Sequence, residues 1–163
     1  MIDPTEKQYL KARSLLSEGK PDEAVQELSL ILALQPDNGK GQALLGHLMF
    51  RYFKDYVGAE NAFRNAIKQA PTYAELYIDY AEMLLVLERY TETVAILNKS
   101  LEVPGIEKDK VNRLFGMLYE RQTKWDEAIA YYNKSLIFTF SNEDLKIYEA
   151  DIARCLMKKG KVQ

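Results

Sequence analysis

The side chains that most often carry chemistry are scarce in this sequence. There is one histidine, His47, and one cysteine, Cys155, in 163 residues. One cysteine excludes an intramolecular disulfide and a multi-cysteine metal site, and one histidine excludes the two-histidine zinc motifs. A catalytic histidine needs a nucleophile or second base beside it, which the sequence does not suggest for His47, and Cys155 is expected to be a small apolar core residue. We therefore expect no catalytic residue, metal or cofactor, and no enzyme.

The net charge and the distribution of apolar residues indicate which classes of partner to expect. Lys plus Arg total 22 and Asp plus Glu total 24, for a net charge of -2, whereas a general nucleic-acid binder normally has a basic excess. The 11 tyrosines could stack on bases, but most of them fall in the repeat columns described next. No apolar run reaches the roughly 18 residues that span a bilayer, and the start of the chain lacks a secretory apolar segment. We expect no nucleic-acid partner, no membrane insertion and a cytoplasmic location, with a processed or excised fragment left open.

A repeat of about 35 residues runs through the chain. The tetrapeptide Asn-Lys-Ser-Leu occurs at 98–101 and again at 133–136. A column of small residues contains Ala12, Gly46, Ala81, Gly116 and Ala153. A second small column contains Ala24, Ala59, Thr93 and Ala128, and the large apolar column four residues later contains Leu28, Phe63, Leu97 and Tyr132. Columns that recur in four registers indicate a true internal repeat.

Within each repeat, apolar residues recur at helical spacing in two segments, which predicts two helices joined by a short turn. The predicted helices are 5–17, 21–34, 39–53, 56–69, 73–87, 90–102, 108–122, 125–138 and 142–159. The second repeat has one extra residue near Tyr52–Asp55, and the join after the fourth repeat is two or three residues longer. Because one helix pair cannot bury its apolar face alone, the pairs must stack. The sequence thus predicts an all-α fold, an α-solenoid of stacked antiparallel helix pairs with about nine helices.

These columns resemble the tetratricopeptide repeat family, whose pattern runs Trp-x2-Leu-Gly-x2-Tyr, then Ala-x3-Phe, then Pro. The second repeat matches through Leu45-Gly46, Ala59-x3-Phe63 and Pro71, and the fourth through Phe115-Gly116-x2-Tyr119 and Ala128-x3-Tyr132. The third repeat is weaker, and the first tryptophan of the pattern is missing throughout. The resemblance implies a single domain, a superhelix over 5–163, with repeats at about 5–38, 39–72, 73–106 and 108–141 and a C-terminal helix at 142–159.

The resemblance also implies a concave groove, lined by the first helices of the repeats, that holds a peptide or helix of another protein. The residues expected to bind a partner there are Tyr9, Arg13, Leu44, His47, Phe50, Arg51, Ile78, Asp79, Glu82, Arg113, Leu114 and Met117. The same projected face also includes Leu16, Ala43, Glu75, Asp151 and Arg154. Apolar side chains interleaved with charges of both signs are typical of a binding surface. The expected function is a non-enzymatic protein-interaction scaffold.

Several alternatives remain open at this stage. The chain could be an assembly or secretion chaperone of similar fold, or an accessory domain of a larger protein. It does not match the branch of the family that binds acidic C-terminal tails through a carboxylate clamp, because Glu75 and Asp79 stand where that branch has cations. The C-terminal helix could cap the stack, or its apolar residues could form a homodimer contact.

Overall fold

A computed structural model describes residues 3–162, and the described residues form α-helices with no strand. The helices are α1 (Pro4–Ser17), α2 (Pro21–Leu34), α3 (Gly39–Leu48), α4 (Tyr56–Gln69), α5 (Ala74–Val86), α6 (Tyr90–Ser100), α7 (Lys108–Arg121), α8 (Trp125–Phe138) and α9 (Asn142–Val162). A π-helical turn, Met49–Phe53, continues α3. The predicted all-α class is confirmed.

The helices begin where the local chemistry favours a start. Proline occupies the first position of α1 and of α2, where its missing N–H has no helical partner to lose. The side chains of Asp3, Asn38 and Asp55 accept backbone N–H groups at the starts of α1, α3 and α4. These bonds satisfy donors that a helix leaves unpaired in its first turn.

The turn inside each helix pair has one residue in the left-handed region. These residues are Gly19, Lys54, Glu88 and Thr123, with φ of 75°, 56°, 58° and 60°. In three of these turns, the backbone N–H of the following residue donates to the carbonyl oxygen five residues earlier, as Lys20 N–H does to Leu15 at 2.9 Å. The Asp55 N–H instead reaches Met49, one residue further back, at 3.0 Å. The extra residue of the second repeat is therefore absorbed by the π-helical turn.

The chain divides into two compact units, of which the first ends at Tyr80 and the second begins at Ala81, inside α5. In the first unit, Ala12, Leu28 and Leu48 belong to one apolar cluster that joins α1, α2 and α3. In the second unit, Tyr132 and Cys155 belong to a cluster that joins α8 and α9. The single domain over 5–163, with its repeat boundaries, stays a prediction.

The small column of the first helices marks close contacts in complete pairs. A Cβ built on Gly46 would lie 2.7 Å from the Phe63 ring, and one on Gly116 would lie 2.5 Å from the Tyr132 ring. Ala153, the last member of the column, is exposed, so it makes no such contact in the described chain.

The last helix also differs from its prediction. It was expected to end at residue 159, but α9 continues through Gly160 to Val162. Gly160 has no positive φ and no close neighbour, so nothing in its surroundings forces the helix to stop. The extra residues after the fourth repeat are also helical. The start of α9 precedes its small-column residue, Ala153, by about one helical turn more than the starts of α3 and α7 precede Gly46 and Gly116.

Candidate functional site

The first unit contains a pocket between α1, α3 and the start of α5. Its volume is about 240 Å³, and its walls come from the first helices of three successive pairs. The lining residues are Arg13, Leu16, Ser17, Ala43, Leu44, His47, Tyr73, Glu75, Leu76 and Asp79. Four residues of the predicted groove are thus brought together in one pocket, namely Arg13, Leu44, His47 and Asp79.

Asp79 is the centre of an ionic cluster on one side of the pocket. His47 Nδ1 lies 2.8 Å from Asp79 Oδ2, and Arg51 donates to Asp79 Oδ1 at 3.0 Å. The Asp79 side chain is only 16% exposed, so these partners replace much of its hydration. The guanidinium of Arg51 also lies 4.8 Å from the centre of the Phe50 ring, which holds it in place. Asp79 therefore fixes α3 and its π-helical turn to α5.

Glu75 organises the opposite side of the pocket. The Tyr73 hydroxyl donates to Glu75 Oε2 at 2.6 Å, while Arg13 approaches the same oxygen at 3.5 Å. The Tyr9 and Tyr73 hydroxyl oxygens are 3.0 Å apart. The hydrogen bond with Tyr9 raises the pKa of Arg13, and burial raises the pKa of Tyr73 well above its ordinary value. Arg13 is half exposed and its contact with Glu75 is long, so its guanidinium is available to a ligand.

Three predicted groove residues are instead part of the core. Tyr9, Phe50 and Leu114 are 6%, 4% and 5% exposed. Helical periodicity could not separate them from the groove, since a core face and a groove face adjoin on the same helix. Ile78 is half-buried on α5 and does not line the pocket.

Four of the predicted residues lie in the second unit: Glu82, Arg113, Leu114 and Met117. Met117 packs against the cluster that contains Ala128, Tyr132 and Cys155. Arg113 donates to Asp151 Oδ2 at 2.8 Å. The charge of Arg113, which was expected to select a partner, thus neutralises a carboxylate of its own unit.

A set of ionic contacts attaches α9 to α7 and α8. Arg154 forms two hydrogen bonds with Glu120, at 2.8 Å and 2.7 Å, and the Tyr132 hydroxyl donates to Glu120 at 2.7 Å. Lys158 adds a contact of 2.9 Å to Glu120. The hydrogen bonds from Arg154 are the main reason that the pKa of Glu120 falls to about 2. Arg154 also donates to Asp151, which is buried. This arrangement has a structural role, because its charges satisfy one another.

The pocket also contains residues that the sequence reading did not select. Ser17, Tyr73 and Leu76 line it, although none was on the projected face. Tyr73 lies just before α5, although the predicted helix began at residue 73. The only signal was its spacing from Glu75, two residues later, which places both side chains at the start of one helix.

The described residues offer little for catalysis. Cys155 is buried, and its desolvation raises the pKa of the thiol to about 11, so almost none is thiolate at neutral pH. Within residues 3–162, no group of three or more His, Cys, Asp or Glu side chains could hold a metal ion. None of the helices described above is long and apolar enough to cross a membrane.

Comparison with known proteins bears on the repeat. A family model described as tetratricopeptide repeat matches residues 52–103, which run from the π-helical turn through α6. Residues 52–103 are thus similar to the tetratricopeptide repeat. No curated protein matches the chain significantly. The predicted family resemblance is confirmed, and the matched segment includes α4, α5 and α6.

Solved structures of tetratricopeptide repeat proteins share the fold. The Thermus thermophilus protein TTC0263 has a TM-score of 0.78 and 20% identity, covering 93% of this chain and 82% of its own. PilW, described as a type IV pilus biogenesis factor, has a TM-score of 0.78 and 19% identity, covering 96% and 80%. PilF of Pseudomonas aeruginosa has a TM-score of 0.84 and 20% identity, covering 96% and 69%. At these identities the likeness shows the fold alone.

Proposed function

We propose that this tetratricopeptide repeat protein is a non-enzymatic interaction scaffold whose first unit binds a peptide or helical segment of another protein. The binding site is the pocket between α1, α3 and α5. The observation that carries the proposal is the composition of that pocket, in which apolar side chains lie between two fixed acidic centres, Glu75 and Asp79.

The apolar part of the pocket would supply most of the affinity. Leu16, Leu44 and Leu76 line it, and the partial exposure of Leu16 and Leu44 leaves room for an apolar side chain of a ligand, whereas Leu76 is buried. Removing such a side chain from water is favourable by roughly 25 cal/mol per Å² of apolar surface. The pocket is small, so the ligand would be an extended or helical segment with one or two apolar anchors rather than a large flat surface.

The charges would determine which segment fits. Asp79 is held by two short contacts and is already neutralised, so it fixes the shape of the pocket. The contact of Arg13 with Glu75 is long, at 3.5 Å, and Arg13 can exchange that carboxylate for an acceptor on the ligand. Specificity would then come from Arg13, while Asp79 and His47 preorganise the site.

A display library of random 12-residue peptides, selected on the whole chain, tests this proposal. The selected peptides should bind Leu44→Lys at least about tenfold more weakly than the unaltered protein, a loss of about 1.4 kcal/mol. Leu34→Lys is the matched control, because Leu34 is 72% exposed on α2 and lies outside the pocket. Circular dichroism would establish that both variants remain helical. Equal binding to both variants would place the binding site elsewhere.

An assembly or secretion chaperone, or an accessory domain of a larger protein, is a narrower version of the same proposal. The fold that the chain shares with PilW, a pilus biogenesis factor, favours a role in assembly over one in catalysis. Such a role also requires a peptide-binding site, so the display experiment applies to it without change. A cytoplasmic location and the absence of a nucleic-acid partner stay predictions from the sequence.

We also propose, as a separate property, a homodimer through α9. Two apolar residues of α9, Tyr148 and Cys155, are buried within the second unit. Leu156 and Met157 are 55% and 62% exposed, and Ala153 is exposed beside them. A second copy related by two-fold symmetry would cover these side chains. The molecular mass in solution, measured by light scattering, decides between a monomer and this dimer.

A further inference from the structure

A second cavity lies in the second unit, between the start of α7 and the junction of α8 with α9. We call it the junction cavity, and it is lined by Ile106, Glu107, Asp109, Phe138, Phe140 and Asp144 among others. Its volume is about 430 Å³. Phe140 is fully exposed and Phe138 is 43% exposed, while Ile137 beside them is 74% exposed. Adjacent exposed side chains of this size are typical of an interaction surface rather than of a solvated turn.

The equivalent junction of the first unit is closed, so the fold does not require the opening that forms the junction cavity. The equivalent place in the first unit lies between Gly39, at the start of α3, and Ala70, at the end of α4. There a Cβ built on Gly39 would lie 2.5 Å from the Ala70 Cβ, so the two elements touch. The corresponding residues of the second unit are Asp109 and Thr139, and both line the junction cavity. One helix-pair junction is closed and its counterpart is open.

The charge around the junction cavity is mainly negative. Three carboxylates and one ammonium group line it. Asp109 accepts a hydrogen bond from Tyr148 at 2.9 Å, and Glu107 pairs with Lys110. Within residues 3–162, no cation lies at ion-pair distance from the Asp144 carboxylate. Asp144 therefore remains available to a cation from outside the unit.

A contact within the unit shows how a cation could use the aromatic side chains. Lys108 Nζ lies 5.7 Å from the centre of the Phe138 ring, within the range of a cation–π interaction. Phe140 presents a second ring that is fully open to solvent. An arginine is the side chain best suited to it, since guanidinium groups stack on aromatic faces and pair with carboxylates.

We infer that the junction cavity is a docking site for a basic, apolar segment of another polypeptide. An arginine or lysine of the segment would pair with Asp144, and an apolar side chain would enter beside Ile106 and Phe138. An anionic lipid headgroup or a nucleic-acid phosphate does not fit, because the carboxylates would repel it. The site is separate from the pocket of the first unit and does not depend on it.

Three synthetic peptides test the inference by titration of the ¹⁵N-labelled whole chain, followed by NMR. One alternates Arg with Leu, one Glu with Leu, and one Arg with Ser. The Arg–Leu peptide should shift amide signals at 106–109 and 138–145, and its affinity should fall on the order of tenfold or more as salt rises. Phe140→Ser and Asp144→Asn should each weaken this binding by about tenfold. Phe140 and Asp144 contribute little to the core, so both variants should fold.

Matched controls come from the first unit. Phe53→Ser removes another exposed phenylalanine and Asp37→Asn another exposed carboxylate, and neither should change the binding. Equal binding of the Glu–Leu peptide would overturn the inference by showing general apolar adhesion. If the Arg–Ser peptide bound equally well and Phe140→Ser did not weaken its binding, the inference would also be overturned, because the binding would then be general charge attraction. The inference also fails if none of the peptides shifts these signals. It fails as well if the unaltered chain is a dimer and Phe140→Ser makes it a monomer, because a second copy would then occupy the cavity.

Discussion

Single residues set the turns between paired helices, and three of the four turns use a residue that is poorly suited to its backbone. Lys54, Glu88 and Thr123 all have a positive φ, as Gly19 does at the equivalent position. The left-handed region costs a residue with a Cβ roughly 1–2 kcal/mol, and a β-branched residue is the least suited to it. Gly19 was recognisable in the sequence as a turn former. Lys54, Glu88 and Thr123 were not, because their conformation is imposed by the two packed helices.

Thr123→Gly should therefore stabilise the protein. Relief of the left-handed strain outweighs the added freedom of the unfolded chain, for a gain of about 0.5–1 kcal/mol in the free energy of unfolding. Urea unfolding followed by circular dichroism measures the change. The reverse control is Gly19→Thr, which should destabilise, and by strain alone because nothing lies within 4 Å of a Cβ at Gly19. A loss of stability in Thr123→Gly would mean that the threonine side chain contributes more than its backbone costs.

At the scale of the elements, the two helices of a pair are matched by the sizes of two column residues. Gly46 faces Phe63 and Gly116 faces Tyr132, so the smallest residue meets an aromatic ring. Where the first helix has alanine, the second has leucine, as with Ala12 and Leu28, which share one core cluster. The combined volume is nearly conserved from pair to pair, as close packing requires.

This matching predicts that two harmful substitutions will compensate each other. Gly46→Ala alone should cost about 1–3 kcal/mol by overpacking against Phe63. Phe63→Leu alone should cost about 1–3 kcal/mol through the cavity that it leaves. The double variant should recover at least about 1 kcal/mol of the summed loss, as a double-mutant cycle of unfolding free energies would measure.

The control for Gly46→Ala is Gly160→Ala in α9, where an added Cβ meets nothing within 4 Å. There the change should stabilise by about 0.5–1 kcal/mol, since alanine favours a helix over glycine. Strict additivity in the double variant would mean that Gly46 and Phe63 do not share a contact whose size matters.

The helices were predictable from the sequence to within a few residues, because periodicity and turn residues report directly on local structure. The π-helical turn at Met49–Phe53 was visible only as one extra residue, which a longer turn could equally have absorbed. The extension of α9 past Gly160 was not predictable, since an exposed glycine can end a helix or continue it.

At the scale of the whole molecule, the predicted groove residues are divided between two compact units. Those in the first unit include four that line one pocket. Those in the second unit are used within it, as Arg113 is by Asp151 and Met117 by its core cluster. A sequence repeat specifies equivalent faces, but not which face is filled by neighbouring side chains. The second unit presents the junction cavity instead, which no repeat column marks because its aromatic residues lie at the end of a helix and in a turn.

The stability of the whole molecule should depend on pH through Glu120. Its pKa is lowered from 4.5 to about 2 in the folded protein, chiefly by its bonds with Arg154. A lowered carboxyl pKa contributes stability above the unfolded value, near 4.5, and the contribution is lost as the pH falls toward about 2. At about 1.4 kcal/mol per pKa unit, this amounts to at most about 3 kcal/mol at pH 7.

Glu120→Gln should therefore be less stable than the unaltered protein at pH 7, by about 1–3 kcal/mol, because Arg154 and Lys158 lose their carboxylate partner. The difference should narrow steadily as the pH is lowered from 5 toward 2, since protonation removes the same charge from Glu120. Urea unfolding at a series of pH values measures both trends, and hydrogen exchange should show the loss of protection in α7, α8 and α9. Glu107→Gln is the control, because its pair with Lys110 is largely exposed and should contribute less than about 0.5 kcal/mol. A gap between Glu120→Gln and the unaltered protein that stays constant across this pH range would show that shape and hydrogen bonding, rather than the charge of Glu120, hold α9 in place.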